Sequence, residues 1–410
     1  MRKNAIALLT FFVVLAIVPA RAQESRYSFV RYDANRLHGD STSATFAHFV
    51  QRWNAVTQSG KGNIHIVHIG SSHVQGGTFP HQVRMNLLRR NPTLVGPRGM
   101  IFPYSAAAKC NNPADYRVHC VEKVELCRNV YKEPQVELGL CGIAVTAHDS
   151  TTTIALVRNE YQADFTLSRL VVLGYSPDGV VPRLDVDGQL MMPHSCNNAL
   201  RSFTFVLPHS VDSLAIVLPC DSAQQFHLTG VYLDNDRSGV SYHSIGVNGA
   251  ALNDYLRCPW LTRDLSMLQP DMVIFGIGIN DAAQPDFDSA VFHAEYRRLV
   301  DSVRSVNPRC ALVFITNNDS YKRSGKGRRK RYTVNPQGEV VRQVFYQLAE
   351  ETDGVVWDQF EVMGGLKSMM QWQKAGLAQR DKVHFTREGY QLIGDLFSDA
   401  LLKAIERKQP

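Results

Sequence analysis

The chain has 410 residues and a formal net charge of +6, a length that suits two domains. Arg2, Lys3 and Arg21 contribute +3 and the run from Lys322 to Arg331 contributes +7, so the rest of the chain carries about −4. This distribution excludes a general nucleic-acid-binding surface and indicates a mildly acidic globular protein with one basic loop.

The N-terminus has the pattern of a secretory signal. Arg2 and Lys3 precede an apolar run from Ala5 to Val18, and Ala20-Arg-Ala22 supplies a small-x-small cleavage site. The apolar run is short for a bilayer span, which disfavours an uncleaved anchor. We therefore expect a signal peptide over residues 1–22, a secreted or periplasmic mature chain that begins near Gln23, and no membrane span after cleavage.

Residues 23–114 contain one helical patch, Ala44 to Val56, and then a strand that ends at a serine. The strand Ile64–Ile69 is mostly β-branched and runs into Gly70-Ser-Ser72, and a helical segment follows. A strand that ends in a glycine turn can expose a serine nucleophile at the edge of a sheet. A serine in a turn can equally be an ordinary turn residue.

Residues 115–242 have a different pattern. Short alternating runs such as Ser202 to Leu207 and Phe226 to Leu233 are separated by turn signals, including Asp187-Gly188 at a hairpin position. Several short strands at this spacing predict an antiparallel β-sandwich or jelly-roll domain.

Residues 243–410 return to alternating strands and helices. Buried strands are predicted at Met272 to Gly276, Ala311 to Ile315 and Gly354 to Trp357, with helices around 287–306, 337–352 and 387–406. This alternation predicts a parallel sheet with helices on both faces. The simplest interpretation is one α/β domain, formed by residues 23–114 and 243–410, that is interrupted by the β-domain at 115–242.

The cysteines and the basic run give weaker signals. None of the eight cysteines forms a C-x-x-C pair, so we expect no zinc or redox site, and no other metal or cofactor. Disulfides among the four cysteines in 110–141 and buried free thiols remain equal alternatives. The run from Lys322 to Arg331 is expected to be a solvated loop, with polyanion binding as the alternative.

Three further segments carry residues that suit acyl-transfer chemistry. Asp381 precedes His384 by three residues, so its carboxylate can contact Nδ1 and leave Nε2 as a general base, although an isolated D-x-x-H is more often a helix-capping loop. Gly249 and Asn280 each follow a predicted strand. The N–H groups of Ser72 and Gly249 and the amide of Asn280 could together form an oxyanion hole.

These segments occur in an order that resembles the SGNH (GDSL-type) hydrolases. Ser72 matches the nucleophile of the family, Gly249 and Asn280 match its oxyanion glycine and asparagine, and Asp381 with His384 match its acid–base pair. The resemblance covers most of residues 63–110 and 243–405 and implies a three-layer, flavodoxin-like α/β fold. One position departs from it: the first motif of the family reads Gly-Asp-Ser, whereas position 71 is a serine here, and Ser71 as nucleophile is a minor alternative.

A narrower resemblance concerns the predicted insertion. Exported SGNH enzymes that remove O-acetyl groups from bacterial cell-wall glycan are similar in carrying a β-sandwich at this place and a Gly-Asp-Ser-His motif, which reads Gly70-Ser-Ser-His73 here. The resemblance implies a carbohydrate-binding-like insertion and a secreted serine esterase that deacetylates peptidoglycan or another polysaccharide through an acyl-enzyme on Ser72. Alternatives are a glycan O-acetyltransferase, a lipase or thioesterase, and a non-catalytic carbohydrate-binding protein.

Overall fold

The computed structural model describes residues 27–107, 112–159, 165–221, 223–325, 329 and 331–408. The predicted signal peptide and Cys110 lie outside these residues. The seven described cysteines are all free thiols. Among the described helices, none combines the length and the apolar composition that crossing a bilayer requires.

The described helices are, in chain order, α1 Ala44–Ser59, α2 Ser72–Gln75, α3 Thr78–Arg90, α4 Leu252–Leu256, α5 Leu261–Leu268, α6 Ile279–Ala283, α7 Ser289–Val306, α8 Gln337–Glu351, α9 Gln359–Val362, α10 Met369–Lys374 and α11 Arg387–Arg407. The long helices predicted from sequence are confirmed. Side-chain caps explain where three of them begin, because Ser43, Asp288 and Thr386 accept hydrogen bonds from the first-turn amides of α1, α7 and α11.

The described strands are β1 Leu37–His38, β2 Asn63–Gly70, β3 Gly99–Ile101, β4 Tyr116–His119, β5 Glu125–Arg128, β6 Ile143–His148, β7 Thr151–Arg158, β8 Leu167–Tyr175, β9 Arg183–Val186, β10 Gln189–Met191, β11 Ser195–Asn197, β12 Ser202–Val211, β13 Ser213–Pro219, β14 Gln225–Asp234, β15 Gly239–Gly246, β16 Met272–Gly276, β17 Ala311–Ile315, β18 Tyr321–Ser324, β19 Arg331–Val334 and β20 Val355–Trp357. They form the sheets that define the two regions of the protein.

The first sheet has the order β1-β20-β17-β16-β2-β15 and is parallel except for β1 at its edge. Alternate residues of its strands enter two different cores: Ile64 and Ile66 of β2 pack with α1, α3 and α11, whereas Val67 and Ile69 face the side of α5, α7 and α8. Because both faces are covered, the strands are apolar almost throughout. The predicted three-layer α/β fold is confirmed.

Two antiparallel sheets form the second region, with the orders β10-β9-β13-β7-β4 and β11-β12-β8-β14-β6-β5. Residues of both sheets, such as Ile154, Ile216, Val172 and Phe226, belong to one buried core. The sheets therefore pack face to face as a sandwich.

The limits of this antiparallel region differ from the predicted 115–242. β3, which begins at Gly99, pairs with β14 of the sandwich, whereas β15, which begins at Gly239, pairs in parallel with β2. Neither strand has a clear alternation of apolar and polar residues in the sequence. β3 has only three residues, and β15 is buried on both faces with polar side chains such as Ser241 and His243 among its apolar ones.

The basic run also differs from the expected loop. Its two ends belong to β18 and β19, which pair as an antiparallel hairpin with Arg323 opposite Tyr332 and Ser324 opposite Arg331. Tyr321 and Tyr332 have side chains that favour strands, and they supply the β-propensity that the charged residues lack. We call these two strands the basic hairpin.

Candidate active site

Three neighbouring strands of the parallel sheet end at glycines in the same lateral register. Gly70 of β2 pairs with Gly246 of β15 on one side and with Gly276 of β16 on the other. Ligands of open α/β sheets bind beyond the carboxyl ends of such strands. The residues that follow these glycines at this edge include Ser72, Gly249 and Asn280.

The short helix α2, which begins at Ser72, lies directly against two of these strand ends. A Cβ atom at Gly246 would lie 2.3 Å from the Gln75 nitrogen, and one at Gly70 would lie 2.3 Å from Cγ2 of Val74. Only glycine permits this approach, because any side chain would displace the helix. The glycines therefore set the position of Ser72.

Ser72, His384 and Asp381 form a hydrogen-bonded chain. Oγ of Ser72 lies 2.8 Å from Nε2 of His384, and Nδ1 of His384 lies 2.7 Å from Oδ2 of Asp381. Since the carboxylate accepts the Nδ1 proton, Nε2 is left to accept the proton of the serine hydroxyl. This is the geometry of a serine activated by a histidine that an acid orients.

The Asp381 carboxylate is organised by the loop between it and His384. Its Oδ1 accepts hydrogen bonds from the backbone amides of Val383 and His384, both at 3.0 Å. Partial burial opposes the charged form, but the hydrogen bonds from the His384 side chain and from the two amides outweigh it and lower the pKa of Asp381 to about 2. The carboxylate is therefore ionised over the working pH range of most enzymes.

Gly249 lies in a turn at the edge of the site. Its φ angle of +83° lies in the left-handed region, and apart from its two chain neighbours no described residue has an atom within 4 Å of the place where a Cβ would stand. The glycine is therefore required by the backbone conformation rather than by close packing. Within the described residues, no acceptor binds the Gly249 amide, which leaves this N–H available to a ligand.

Asn280 lies on the other side of β2, in the first turn of α6. Its Nδ2 donates to the carbonyl of Ala250 at 2.9 Å, and the side chain is only partly buried. An amide nitrogen carries two protons, so the second one remains available to a ligand. Gly249 and Asn280 both line an open groove, together with Val130, Phe287 and Glu295.

Ser71, the position that departs from the family pattern, takes no part in the hydrogen-bonded chain of Ser72, His384 and Asp381. It is fully buried, and its hydroxyl has no hydrogen-bond partner among the described residues. His384 contacts Ser72 instead. The structure therefore places Ser72, and not Ser71, next to the histidine.

Two residues near Ser72 were not predicted as part of the site. Nδ1 of His73 lies 2.7 Å from the Tyr390 hydroxyl, and its ring centroid lies 5.3 Å from that of His384. Burial lowers the pKa of His73 to about 3, which keeps the ring neutral beside His384. Gln75 accepts a hydrogen bond from the Asn248 amide at 2.6 Å. The sequence contains no signal for either contact, since each joins residues that are more than 170 positions apart.

The part of the chain that the structure describes contains no group of three or more His, Cys, Asp or Glu side chains that could hold a metal ion. The arrangement consists of a serine nucleophile, a histidine base and donors at the edge of one sheet. Such a site can transfer an acyl group through a covalent intermediate.

Comparisons with known proteins agree with this arrangement. A sequence model described as the GDSL-like lipase/acylhydrolase family matches residues 223–392, a range that contains Gly249, Asn280, Asp381 and His384 but not Ser72. No curated protein matches the chain.

Among solved structures, a peptidoglycan O-acetylesterase matches with a TM-score of 0.73 and 20% identity, over 90% of this chain and 97% of that chain. A family two carbohydrate esterase from Cellvibrio japonicus matches with a TM-score of 0.28 and 10% identity, over 71% of this chain and 99% of that chain. An acetylxylan esterase from Geobacillus stearothermophilus matches with a TM-score of 0.30 and 24% identity, over 41% and 73%.

The fold and the site define an α/β hydrolytic enzyme in which a serine stands at the end of a central parallel strand. Residues 223–392 match the GDSL-like lipase/acylhydrolase family, and the serine, glycine, asparagine and acid–base pair of the site agree with an ester-hydrolysing enzyme of the SGNH (GDSL-type) kind.

Proposed function

We propose that the protein is a secreted serine esterase that removes O-acetyl groups from a glycan. The observation that carries the proposal is the hydrogen-bonded chain of Ser72, His384 and Asp381 at the end of β2. An acyl-enzyme mechanism follows from the positions of these three side chains.

In the first half of the reaction, Oγ of Ser72 attacks the carbonyl carbon of the acetyl ester while Nε2 of His384 takes the hydroxyl proton. The resulting tetrahedral intermediate expels the sugar oxygen, which receives that proton from His384. In the second half, His384 takes a proton from water as the water oxygen attacks the acetyl carbonyl, and the second tetrahedral intermediate expels Oγ of Ser72, which receives that proton from His384 as acetate leaves. Asp381 holds the imidazole in the required tautomer throughout.

The negative charge of each tetrahedral intermediate requires donors at fixed positions. We assign this role to the backbone amides of Ser72 and Gly249 and to the Asn280 side chain. The groups come from three adjacent strand ends, so the sheet holds them in place before the substrate arrives. Preorganised donors of this kind are typically worth about 3 kcal/mol each in the transition state.

A glycan substrate is supported by the groove beside the site. The groove is open and bears the polar side chains Asn253, Asp254, Gln284 and Asp288, which suit a hydrated polymer better than a long acyl chain. The similarity to a peptidoglycan O-acetylesterase favours an acetyl ester of a polysaccharide. Secretion is supported by the N-terminal pattern, and N-terminal sequencing of the exported protein should find Gln23 first.

The experiment that tests the proposal compares acetate release by the native protein and by Ser72→Ala. We expect hydrolysis of p-nitrophenyl acetate and labelling by a fluorophosphonate in the native protein, and neither above background in Ser72→Ala. Turnover that survives in Ser72→Ala would contradict the assignment.

The same preparation can define the substrate. Acetate release should be measured across acetylated peptidoglycan, acetylxylan and acetylated chitooligosaccharide. Acetyl transfer to a sugar hydroxyl in preference to water would assign the protein as an O-acetyltransferase instead.

A further inference from the structure

We propose that Arg128, in the antiparallel region, is a positioning residue that holds the Gly249 amide toward the reacting ester. The inference rests on the proposed function, because it concerns the oxyanion donor of the same reaction. It makes the antiparallel region part of the catalytic apparatus rather than only a neighbour of it.

The first observation is the type of turn that carries Gly249. The Ala250 amide donates to the carbonyl of Val247 at 3.0 Å, which closes a β-turn whose third residue, Gly249, has a φ angle of +83°. A positive φ at this place is the signature of a type II turn. Types I and II differ mainly in the orientation of the central peptide. Here that peptide joins Asn248 to Gly249, so the turn type decides where the Gly249 N–H points. We call residues 247–250 the oxyanion turn.

The second observation is that this peptide is held through its carbonyl group. The Arg128 guanidinium donates a hydrogen bond from Nη2 to the Asn248 oxygen. In a planar trans peptide, the C=O and the N–H point in opposite directions. A contact that fixes the Asn248 carbonyl therefore also fixes the Gly249 N–H.

The third observation is that Gln75 and Arg128, the two residues that hold the oxyanion turn, are themselves held in place. The Asn248 amide donates to Oε1 of buried Gln75 at 2.6 Å, and Gln75 belongs to the helix that begins at Ser72. Arg128 ends β5, and the segment after it is held by Arg257, which donates to the carbonyls of residues 129, 131 and 132 at 2.7–3.0 Å. The oxyanion turn is thus connected to the nucleophile helix on one side and to the β-sandwich on the other.

An apolar side chain at position 128 would leave the Asn248 carbonyl without this partner. The oxyanion turn could then convert more readily from type II to type I, and in a type I turn the Gly249 N–H would point away from the ester. Ground-state binding of a small ester would change little, because Arg128 reaches the ester only through the turn. The loss should therefore fall on kcat rather than on KM.

The test compares Arg128→Met and Arg128→Lys with a matched control, Arg201→Met. Arg201 also lies in the antiparallel region and stacks on Trp260 of the α/β domain at 3.9 Å, but it does not contact the oxyanion turn. With p-nitrophenyl acetate, we expect kcat of Arg128→Met to fall at least about tenfold, with KM changed less than about twofold. Arg128→Lys should recover part of the loss, and Arg201→Met should retain the native kcat.

Two readouts separate this inference from the proposed function. Native kcat in Arg128→Met, while Ser72→Ala is inactive, would overturn the role of Arg128 and leave the esterase assignment intact. An equal loss of kcat in Arg201→Met would also overturn it, because the effect would then come from the whole contact between the antiparallel region and the α/β domain. A crystal structure of Arg128→Met decides the question without any activity: a rotated Asn248–Gly249 peptide supports the inference, and an unchanged peptide refutes it.

A different observation concerns the basic hairpin, and from it we infer that the substrate polymer carries an anionic group that reaches the hairpin rather than the groove, whose lining includes Asp254 and Asp288. The hairpin contacts the loop that holds the acid–base pair, because the Tyr321 amide donates to the carbonyl of Lys382 at 3.1 Å and Lys382 directly follows Asp381. Nζ of Lys382 lies 5.1 Å and 4.8 Å from the ring centroids of Tyr321 and Tyr332. The hairpin therefore lies beside the loop that carries Asp381 and His384.

The cationic side chains of the hairpin are not neutralised by the protein. Arg323 and Arg331 are exposed, Lys322 is partly exposed, and none of the three forms an ion pair with a described carboxylate. By contrast, Arg342, in the next helix, pairs with both Asp358 and Glu361. Unpaired like charges beside an active site attract an anionic ligand. Carboxylate and phosphate groups along a polysaccharide share this chemistry.

The test uses the triple variant Lys322→Gln, Arg323→Gln, Arg331→Gln. Its matched control removes three exposed cations elsewhere: Lys61→Gln, Arg117→Gln, Arg237→Gln. Acetate release is measured on an acetylated polymer with carboxylates, one with phosphodiesters and a neutral one. For the hairpin variant, we expect kcat/KM on the matching anionic polymer to fall about tenfold at low salt and to approach the native value at high salt.

The neutral polymer and p-nitrophenyl acetate should show no change in the hairpin variant. No loss on either anionic polymer, or the same loss on the neutral one, would refute the inference. Affinity electrophoresis in gels that contain each polymer measures binding without catalysis, so the inference can fail or stand independently of the esterase assignment. The polymer that retards the native protein more than the hairpin variant identifies the anionic group.

Discussion

Replacing Asp281 by asparagine should stabilise the protein at neutral pH and leave its activity intact. Asp281 directly follows Asn280 and is 7% exposed. Its Oδ1 accepts the Leu252 amide at 3.0 Å, whereas Oδ2 has no partner among the described residues. Burial, with smaller contributions from Glu295 and Asp254, raises the pKa of Asp281 to about 6.

The sign and size of the effect follow from this shift. A carboxyl group whose pKa is higher in the folded than in the unfolded state favours folding only while it is protonated. The native protein should therefore lose stability as the pH rises from about 4, the unfolded pKa, through about 6. A rise of the Asp281 pKa from about 4 to about 6 corresponds to a destabilisation of at most about 3 kcal/mol at pH 7. Asparagine has no such proton to lose, and its Oδ1 can still accept the Leu252 amide.

Thermal unfolding midpoints of the native protein and Asp281→Asn at pH 4.5 and pH 7.5 test this prediction. The variant should unfold several degrees higher at pH 7.5, and the difference should shrink at pH 4.5. Asp286→Asn is the control, because Asp286 is exposed on the same groove. An equal gain at both pH values, or a loss at pH 7.5, would refute the reasoning. With p-nitrophenyl acetate, kcat should stay within about twofold of the native value.

Three further substitutions test individual contacts of the site. Ser71→Ala should retain native kcat with p-nitrophenyl acetate, because the removed hydroxyl is buried and has no described partner; inactivation would instead support Ser71 as nucleophile. Asp381→Asn should lower kcat at least about a hundredfold, because an amide cannot accept from both the imidazole and the loop amides, and the fluorophosphonate labelling rate should fall with it. Gly249→Ala should lower kcat at least about tenfold, because alanine disfavours a φ angle of +83°; unchanged kcat would exclude this amide as an oxyanion donor.

The local elements of the fold could be predicted from the sequence because their signals are local. The β-branched run Ile64–Ile69 has the composition of a buried strand, and the helices after Asp288 and Thr386 begin at capping side chains. The D-x-x-H spacing brings Asp381 within reach of His384 inside one loop. Each of these features depends on residues close together in the chain.

Other features depend on contacts between distant segments. The alignment of Gly70 with Gly246 and Gly276 depends on strand register, which no single segment encodes. The burial of Ser71 could not be seen in a motif that differs from its family at that place. The limits of the antiparallel region also could not be predicted from the sequence. β15 is covered on both faces, so its apolar and polar residues do not alternate in the way that would mark a strand with one exposed face.

The sequence by itself determined the kind of site: a serine after a strand, two oxyanion candidates and an acid–base pair, in an order typical of one family. Tertiary structure alone decided how that site is supported. The contact of Arg128 with the Asn248 carbonyl joins residues 120 positions apart, and the basic hairpin contacts the Asp381 loop through the hydrogen bond from the Tyr321 amide to the Lys382 carbonyl. Such contacts form only when the sheets pack together, because neither partner has a local pattern that specifies the other.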